Sequence, residues 1–350
     1  MKNQFLILSL MFSYTLIVQP AATQQRPPQD IVYPAAPDKP RIRLVKVIRS
    51  KKDIKGSKAS FLDKLSASIT GSDSSLPLLQ KPYGIWVGNN KIYLTDTDER
   101  RVIYYDLTTS KISLIGDGGP GALSSPVSVA ADSQGNIYVS DSGDHSIRAY
   151  TFDGKVLWRT ADLGVAGKVN RPTGLSLTPE GEIVFLDTGN HRVVVLAKDG
   201  KFSREMCRNL KDPFALPNPS NLWVEPDGDM IISDSLIGRV HIFDKTGKHL
   251  SGFGEVGDSA GYMARPRGVA TDSEGNVYVA DALFSRVQMF TKTGELLMYF
   301  GEPGAGPGQL ALPAGVFIDQ ADKIYIVDSK NKRVQIFEYI KYPQEPLKQP

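Results

Sequence analysis

The chain has 350 residues, room for one large β domain or two ordinary ones, and its 41% hydrophobic and 23% charged residues are those of a globular protein. A formal net charge of +3 excludes an overall electrostatic pull toward nucleic acid, and no nucleic-acid partner is expected. The single cysteine, Cys207, excludes an internal disulfide, so stability has to come from the core.

The first element predicted is a secretory signal over residues 1–23. Lys2 gives a short positive start, Phe5 to Val18 is apolar, and small residues follow in QPAATQQ. That apolar run is short for a bilayer span, and the small residues suit cleavage near Ala21 to Thr23. The mature chain is then expected to be exported, periplasmic or secreted, with no transmembrane span. An uncleaved N-terminal anchor is the alternative. Residues 24–40, rich in Pro, Gln and Ala, read as a disordered or extended tether. RIRLVKVI (Arg41 to Ile48) alternates charged and apolar residues, as a strand does. In SFLDKLSASI, Phe61, Leu62, Leu65 and Ile69 recur at helical spacing behind Ser60, which predicts one short inserted helix near 60–70.

From Pro82 the chain repeats. Units open at Pro82, Pro126, Pro172, Pro219, Pro266 and Pro313, with spacings of 44, 46, 47, 47 and 47. A turn aspartate keeps nearly the same period: Asp96, Asp141, Asp187, Asp234, Asp281 and Asp328. Each unit holds three short β-branched or aromatic runs, separated by turn residues, and a weaker fourth such as ELLMYFG. A unit this small cannot bury both faces alone and needs neighbours like itself. The period and strand length predict an all-β, six-bladed β-propeller of four-stranded blades over residues 41–340, with a tail at 341–350. The sixth unit lacks its fourth run, and RIRLVKVI has no blade of its own. The N-terminal strand is therefore expected to complete the last blade and close the ring, removing its open edges.

DTGNHRVVVL, DALFSRVQMF and DSKNKRVQIF, each behind a P-x-G and a G-N/E-x-Y/V signal, resemble NHL repeats, and so does FGEPGAGPGQLALPAGV. The resemblance covers about Arg41 to Ile340 and implies a six-bladed NHL β-propeller of the bacterial exported type. Such propellers serve mostly as binding platforms. A minority are enzymes, among them a peptidylglycine-cleaving lyase with a histidine zinc site near the axis.

Comparing the six units with one another separates architecture from function. The turn aspartate is common to all, and an arginine stands five residues later in all but the second unit: Arg101, Arg192, Arg239, Arg286 and Arg333. An Asp–Arg brace at each turn is expected. The third residue of each unit is small, as crowding at the axis requires: Gly84, Ser128, Gly174, Asn221, Gly268 and Gly315. Function is expected where the units differ, on the face shared by the loop before the first strand and the loop between the second and third. There Leu236, Ile237, Leu283 and Phe284 replace the polar residues of the other units and are the candidate partner-binding site. Packing of these loops on each other, or under the helix expected over Phe61 to Ile69, is the alternative. Lys81, Arg171, Arg265 and Arg267, with His145 and His191, are the candidate ligand-binding residues for a small anion at the channel mouth.

No nucleophile elbow, C-x-x-C, H-E-x-x-H or phosphate-loop motif is present, and no third ligand accompanies His145 and His191. No catalytic residue, cofactor or metal is assigned. The sequence favours a non-enzymatic protein-binding scaffold in an envelope or extracellular assembly. The alternative is a small anionic-ligand binder, or a lyase- or hydrolase-type propeller enzyme using the channel mouth.

Overall fold

The computed structural model describes residues 30–50, 53, 79–208, 210–211 and 213–342. The expected signal (1–23), the start of the expected tether and the expected helix near 60–70 lie outside the described residues.

The fold is a six-bladed β-propeller. Blades 1 to 5 are four-stranded antiparallel sheets in chain order, over residues 82–115, 126–160, 172–206, 219–253 and 266–300. Blade 6 takes Pro313–Ile318, Lys323–Asp328 and Arg333–Tyr339 from the end of the chain. Its fourth strand is Ile42–Ile48, antiparallel to Arg333–Tyr339 with Leu44 opposite Phe337. The ring closes as the missing run in the sixth unit requires.

One expectation is corrected here. Residues 24–40 are not tether throughout, because Val32–Tyr33 pairs with Ile42 and Arg43 as a fifth strand of blade 6. The cause is packing. Tyr33 lies against Phe300 and Phe337, and its hydroxyl donates to the Gly308 carbonyl at 2.9 Å.

The first strand of each blade is innermost and touches its counterparts on either side, blade 6 against blade 1 included. Small third residues permit this approach. A Cβ on Gly268 would stand 2.3 Å from the Ala314 carbonyl oxygen of the next blade. The fifth residues of these strands are Trp86, Ala130, Ser176, Trp223, Ala270 and Phe317. The three large ones fill the axis, with Phe317 5.2 Å from the Trp86 ring and 5.3 Å from that of Trp223, both edge-on. Beside this plug Ser128, Ser176 and Asn221 help line a cavity of about 20 Å³, room for one water. The buried indole N–H of Trp223 has no protein partner. The axis is thus a shallow mouth above a seal rather than an open tunnel.

Candidate functional site

The turn aspartates build the rim of the mouth. Each is fully buried, and its carboxylate accepts backbone N–H groups from the loop entering its own blade. Asp96 takes Gln80 and Lys81, Asp141 takes Ser124 and Ser125, and Asp281 takes Ala264 and Arg265. Asp187, Asp234 and Asp328 take Asn170, Asn218 and Ala311 at 2.7–2.8 Å. These carboxylates hold the two loops of each blade together on the face predicted to carry function.

The expected Asp–Arg brace forms in only two blades. Arg192 reaches Asp187 at 2.8 Å and Arg333 reaches Asp328 at 2.6 Å, all four residues being buried. Arg101 turns instead to Glu99 and Asp117. Arg239 reaches only the Gly252 carbonyl, at 3.4 Å. Arg286 lies between the rings of Phe284 and Tyr299, 4.5 and 4.8 Å from their centroids. The difference has a local cause. In blades 3 and 6 an asparagine, Asn190 or Asn331, bonds the aspartate and draws the loop over the arginine. Blades 4 and 5 carry Ile237 and Phe284 there, which offer no side-chain donor.

The four apolar candidates divide by exposure. Leu236 is 63% and Leu283 58% exposed, whereas Ile237 and Phe284 are half-buried. The loop between these blades adds two residues that sequence reasoning missed, Val256 at 58% and Tyr262 at 38%. The structure therefore sets large apolar groups facing solvent over adjacent blades. Their counterparts in the equally long loop entering blade 6 are Pro303 and Gln309, and the Val256–Met263 bridge recurs there as Pro303–Leu310, so a comparison of the entering loops could have found them.

The basic candidates lie on the same face but are used unequally. Lys81 is exposed and 3.5 Å from Asp98. Arg171 is exposed and donates to the Asn218 side chain at 2.8 Å, bridging blades 3 and 4. Arg265 is exposed. Arg267 alone is drawn into the mouth, half-buried, with its guanidinium over the Tyr83 ring at 5.3 Å. Burial lowers its pKa, Tyr83 opposes this and Arg265 adds to it. Tyr83, from the far side of blade 6, is a mouth residue that sequence reasoning missed.

His145 and His191 act as clips between blades. Nδ1 of His145 accepts the Arg171 backbone N–H at 2.9 Å, and Nδ1 of His191 pairs with the Leu216 carbonyl at 3.1 Å. Each ties one blade to the loop entering the next. Among the described residues, one group of three metal-type ligands gathers, Glu225, Asp227 and Asp229, on the opposite face. There Lys292 already holds Glu225 at 2.6 Å. Cys207 is buried, and burial pushes its thiol up to about 12, which removes it as a nucleophile.

Known families match parts of this ring. The NHL repeat matches residues 123–150 and 169–196, each running from the entering loop to the third strand of blades 2 and 3. The chain carries NHL repeats. A family described as a six-bladed β-propeller matches residues 268–345. Among curated proteins, none matches the chain. Solved structures of the same fold include virginiamycin B lyase from Staphylococcus aureus, at 18% identity and TM-score 0.55, over 75% of this chain and 96% of that one. A gluconolactonase from Xanthomonas campestris matches at 17% identity and TM-score 0.57, over 75% and 87%. An auxiliary nutrient binding protein from Bacteroides thetaiotaomicron matches at 14% identity and TM-score 0.58, over 75% and 69%. At these identities the likeness is one of fold. Enzymes and binding proteins share it, so function has to be argued from the site.

Proposed function

We propose that this NHL propeller is an exported, non-enzymatic scaffold that docks a protein partner on the loop face of blades 4 and 5. The observation that carries this is the solvent exposure of Leu236, Val256, Tyr262 and Leu283 over adjacent blades. Export to an envelope or extracellular assembly is proposed from the N-terminal signal pattern. Among the described residues no helix is long and apolar enough to cross a membrane. The test is affinity capture with the wild type and with Leu236→Asp plus Leu283→Asp. Both residues are exposed, so stability should hold to within the ~0.5 kcal/mol typical of a surface change. Loss of the co-purifying protein supports the proposal, and its retention by the folded variant overturns it.

A second reading rests on Arg267. A half-buried cation over Tyr83, with Arg265 alongside, suits a carboxylate or phosphate at the mouth. That ligand would be either bound or, in a lyase- or hydrolase-type enzyme, transformed. Titration with sugar acids and phosphate, followed by melting temperature, tests it. No shift, or a shift that survives Arg267→Ala, removes it.

A further inference from the structure

Three residues before its turn aspartate, the second strand of each blade carries a side chain that packs toward the next blade. Four of these are tyrosines, Tyr93, Tyr138, Tyr278 and Tyr325; blade 3 has Val184 and blade 4 has Ile231. The rings fill the junction on the face opposite the loops. The hydroxyls of Tyr138, Tyr278 and Tyr325 donate to Asp132, Asp272 and Asp319 at 2.9–3.0 Å. Those carboxylates sit at the turn between first and second strands.

Blade 3 departs from this arrangement twice. Val184 stands where the tyrosine would be, and Thr178 where its aspartate acceptor would be. Thr178 still braces the turn, its Oγ1 accepting the Glu182 backbone N–H at 3.2 Å. The phenol ring has no substitute. A cleft of about 200 Å³ remains between blades 3 and 4. That is below the ~300–1,000 Å³ of sites for drug-sized ligands, ring-sized rather than nucleotide-sized.

The lining defines what fits. Val184, Met206, Val224 and Met230 form an apolar floor, with methionines that adapt to an inserted ring. Glu180, Glu182, Arg204 and Lys245 form the rim. Arg204 neutralises Glu182 through contacts of 3.0 and 2.7 Å to both carboxylate oxygens. That leaves one anion, Glu180, which is hydrogen-bonded to Thr178, and one cation, Lys245, close enough to stabilise that carboxylate, both exposed. An apolar ring-sized floor beneath one exposed carboxylate and one exposed ammonium complements a zwitterion bearing an aromatic side chain.

We propose that the cleft between blades 3 and 4 binds a free aromatic α-amino acid. Its ring occupies the space that a tyrosine fills in four other blades, its ammonium faces Glu180 and its carboxylate faces Lys245. The site is separate from the loop face, so it stands or falls apart from the docking proposal.

The test uses the full chain and L-phenylalanine, with L-alanine, 3-phenylpropionate and phenethylamine as probes lacking the ring, the ammonium and the carboxylate. Saturable binding by calorimetry, with a raised melting temperature, is expected for L-phenylalanine. Each truncated probe should bind more weakly, by up to about fivefold for each lost contact to an exposed charge. Val184→Tyr with Thr178→Asp rebuilds the pair seen in blade 2 and should abolish binding while leaving the protein folded. Lys245→Ala, at an exposed position, should weaken binding by up to about fivefold, and it keeps the test open if the double variant does not fold. The proposal is overturned by any of three results: no binding by the wild type at about 10 mM L-phenylalanine, undiminished binding by a folded double variant, or equal binding of L-alanine.

Discussion

The guanidinium of Arg286 lies 4.5 Å from the centroid of the Phe284 ring and makes no ion pair with Asp281, five residues before it. In blades 3 and 6 the equivalent arginine is fully enclosed and bonded to its aspartate. The blades with apolar loop tips are therefore also blades whose arginine has left the internal network. Ring architecture and surface chemistry are coupled through one side chain, because the residue two places ahead of the arginine decides whether the loop folds over it.

This coupling predicts unequal costs for the same substitution. Arg333 donates to Asp328 at 2.6 Å and to the carbonyls of Ala305, Gly306 and Gln309 at 2.7–2.8 Å. Arg333→Met should cost about 3–5 kcal/mol, since it removes the cation from a buried carboxylate and the donors from the Ala305, Gly306 and Gln309 carbonyls. Arg286→Met gives up cation–π contacts worth about 1 kcal/mol. Urea unfolding of the two variants checks the order. Equal losses would show that the two arginines carry equal structural loads.

Crowding at the axis gives a second expectation. Gly268→Ala sets a Cβ 2.3 Å from the Ala314 carbonyl oxygen and 2.5 Å from the Val316 nitrogen, both backbone atoms that cannot swing aside. Overpacking of this kind costs about 1–3 kcal/mol. Thermal unfolding should show it as a clear drop in melting temperature. An unchanged value would mean that neighbouring inner strands slide apart freely.

His241 supplies a pH dependence. It is fully buried in the third strand of blade 4, with Arg239 two residues before it and His249 3.5 Å from its Nδ1. Burial, then His249, then Arg239 lower its pKa from 6.5 to about 3. Below pH 6.5 the unfolded chain takes up a proton that the folded chain refuses. Stability should therefore fall as pH drops from 6.5 toward 3, by up to about 1.4 kcal/mol per unit, with no contribution above that window. Gln288 and Gln335 occupy the same place in blades 5 and 6, so His241→Gln should fold and lose this component. Parallel pH profiles for variant and wild type would refute the assignment.

Ring closure makes a fourth expectation. Removing residues 1–49 deletes the strand Ile42–Ile48 and bares the edge of Arg333–Tyr339. An unpaired edge is a template for other chains. Light scattering should report oligomers or aggregates for this truncation, against the size of the full chain under the same conditions. A truncated chain of unchanged size and melting temperature would show that closure is dispensable.

Much of the ring was legible because proline, glycine and aspartate mark backbone events that every blade repeats. The small residues at Gly84 and Gly268 and the carboxylates of Asp96 and Asp281 do what their recurrence implies. The Asp–Arg brace was over-generalised. Sequence shows which residues recur, but the partner an arginine selects depends on the loop that covers it, as Asn331 and Phe284 illustrate. The axial plug of Trp86, Trp223 and Phe317 was missed because each reads as one more apolar residue in an apolar run. The cleft beside Val184 was missed for a related reason. Valine is as strand-like as tyrosine, and only the lost ring volume in three dimensions reveals the difference.

The pairing of Ile42–Ile48 with the last strand also sets a clock. Arg43 and Glu338, partners across that seam, are 295 residues apart. At 5–20 residues per second of synthesis, the closing strand is made on the order of 15–60 s before the strand it pairs with exists. Through that interval its alternating pattern is a sticky edge in search of a sheet. Arg41, Arg43 and Lys46 lie within or beside it, and like charges on a waiting strand discourage pairing between copies. The same cations that sit on the rim of the finished blade thus guard the chain while it is still incomplete.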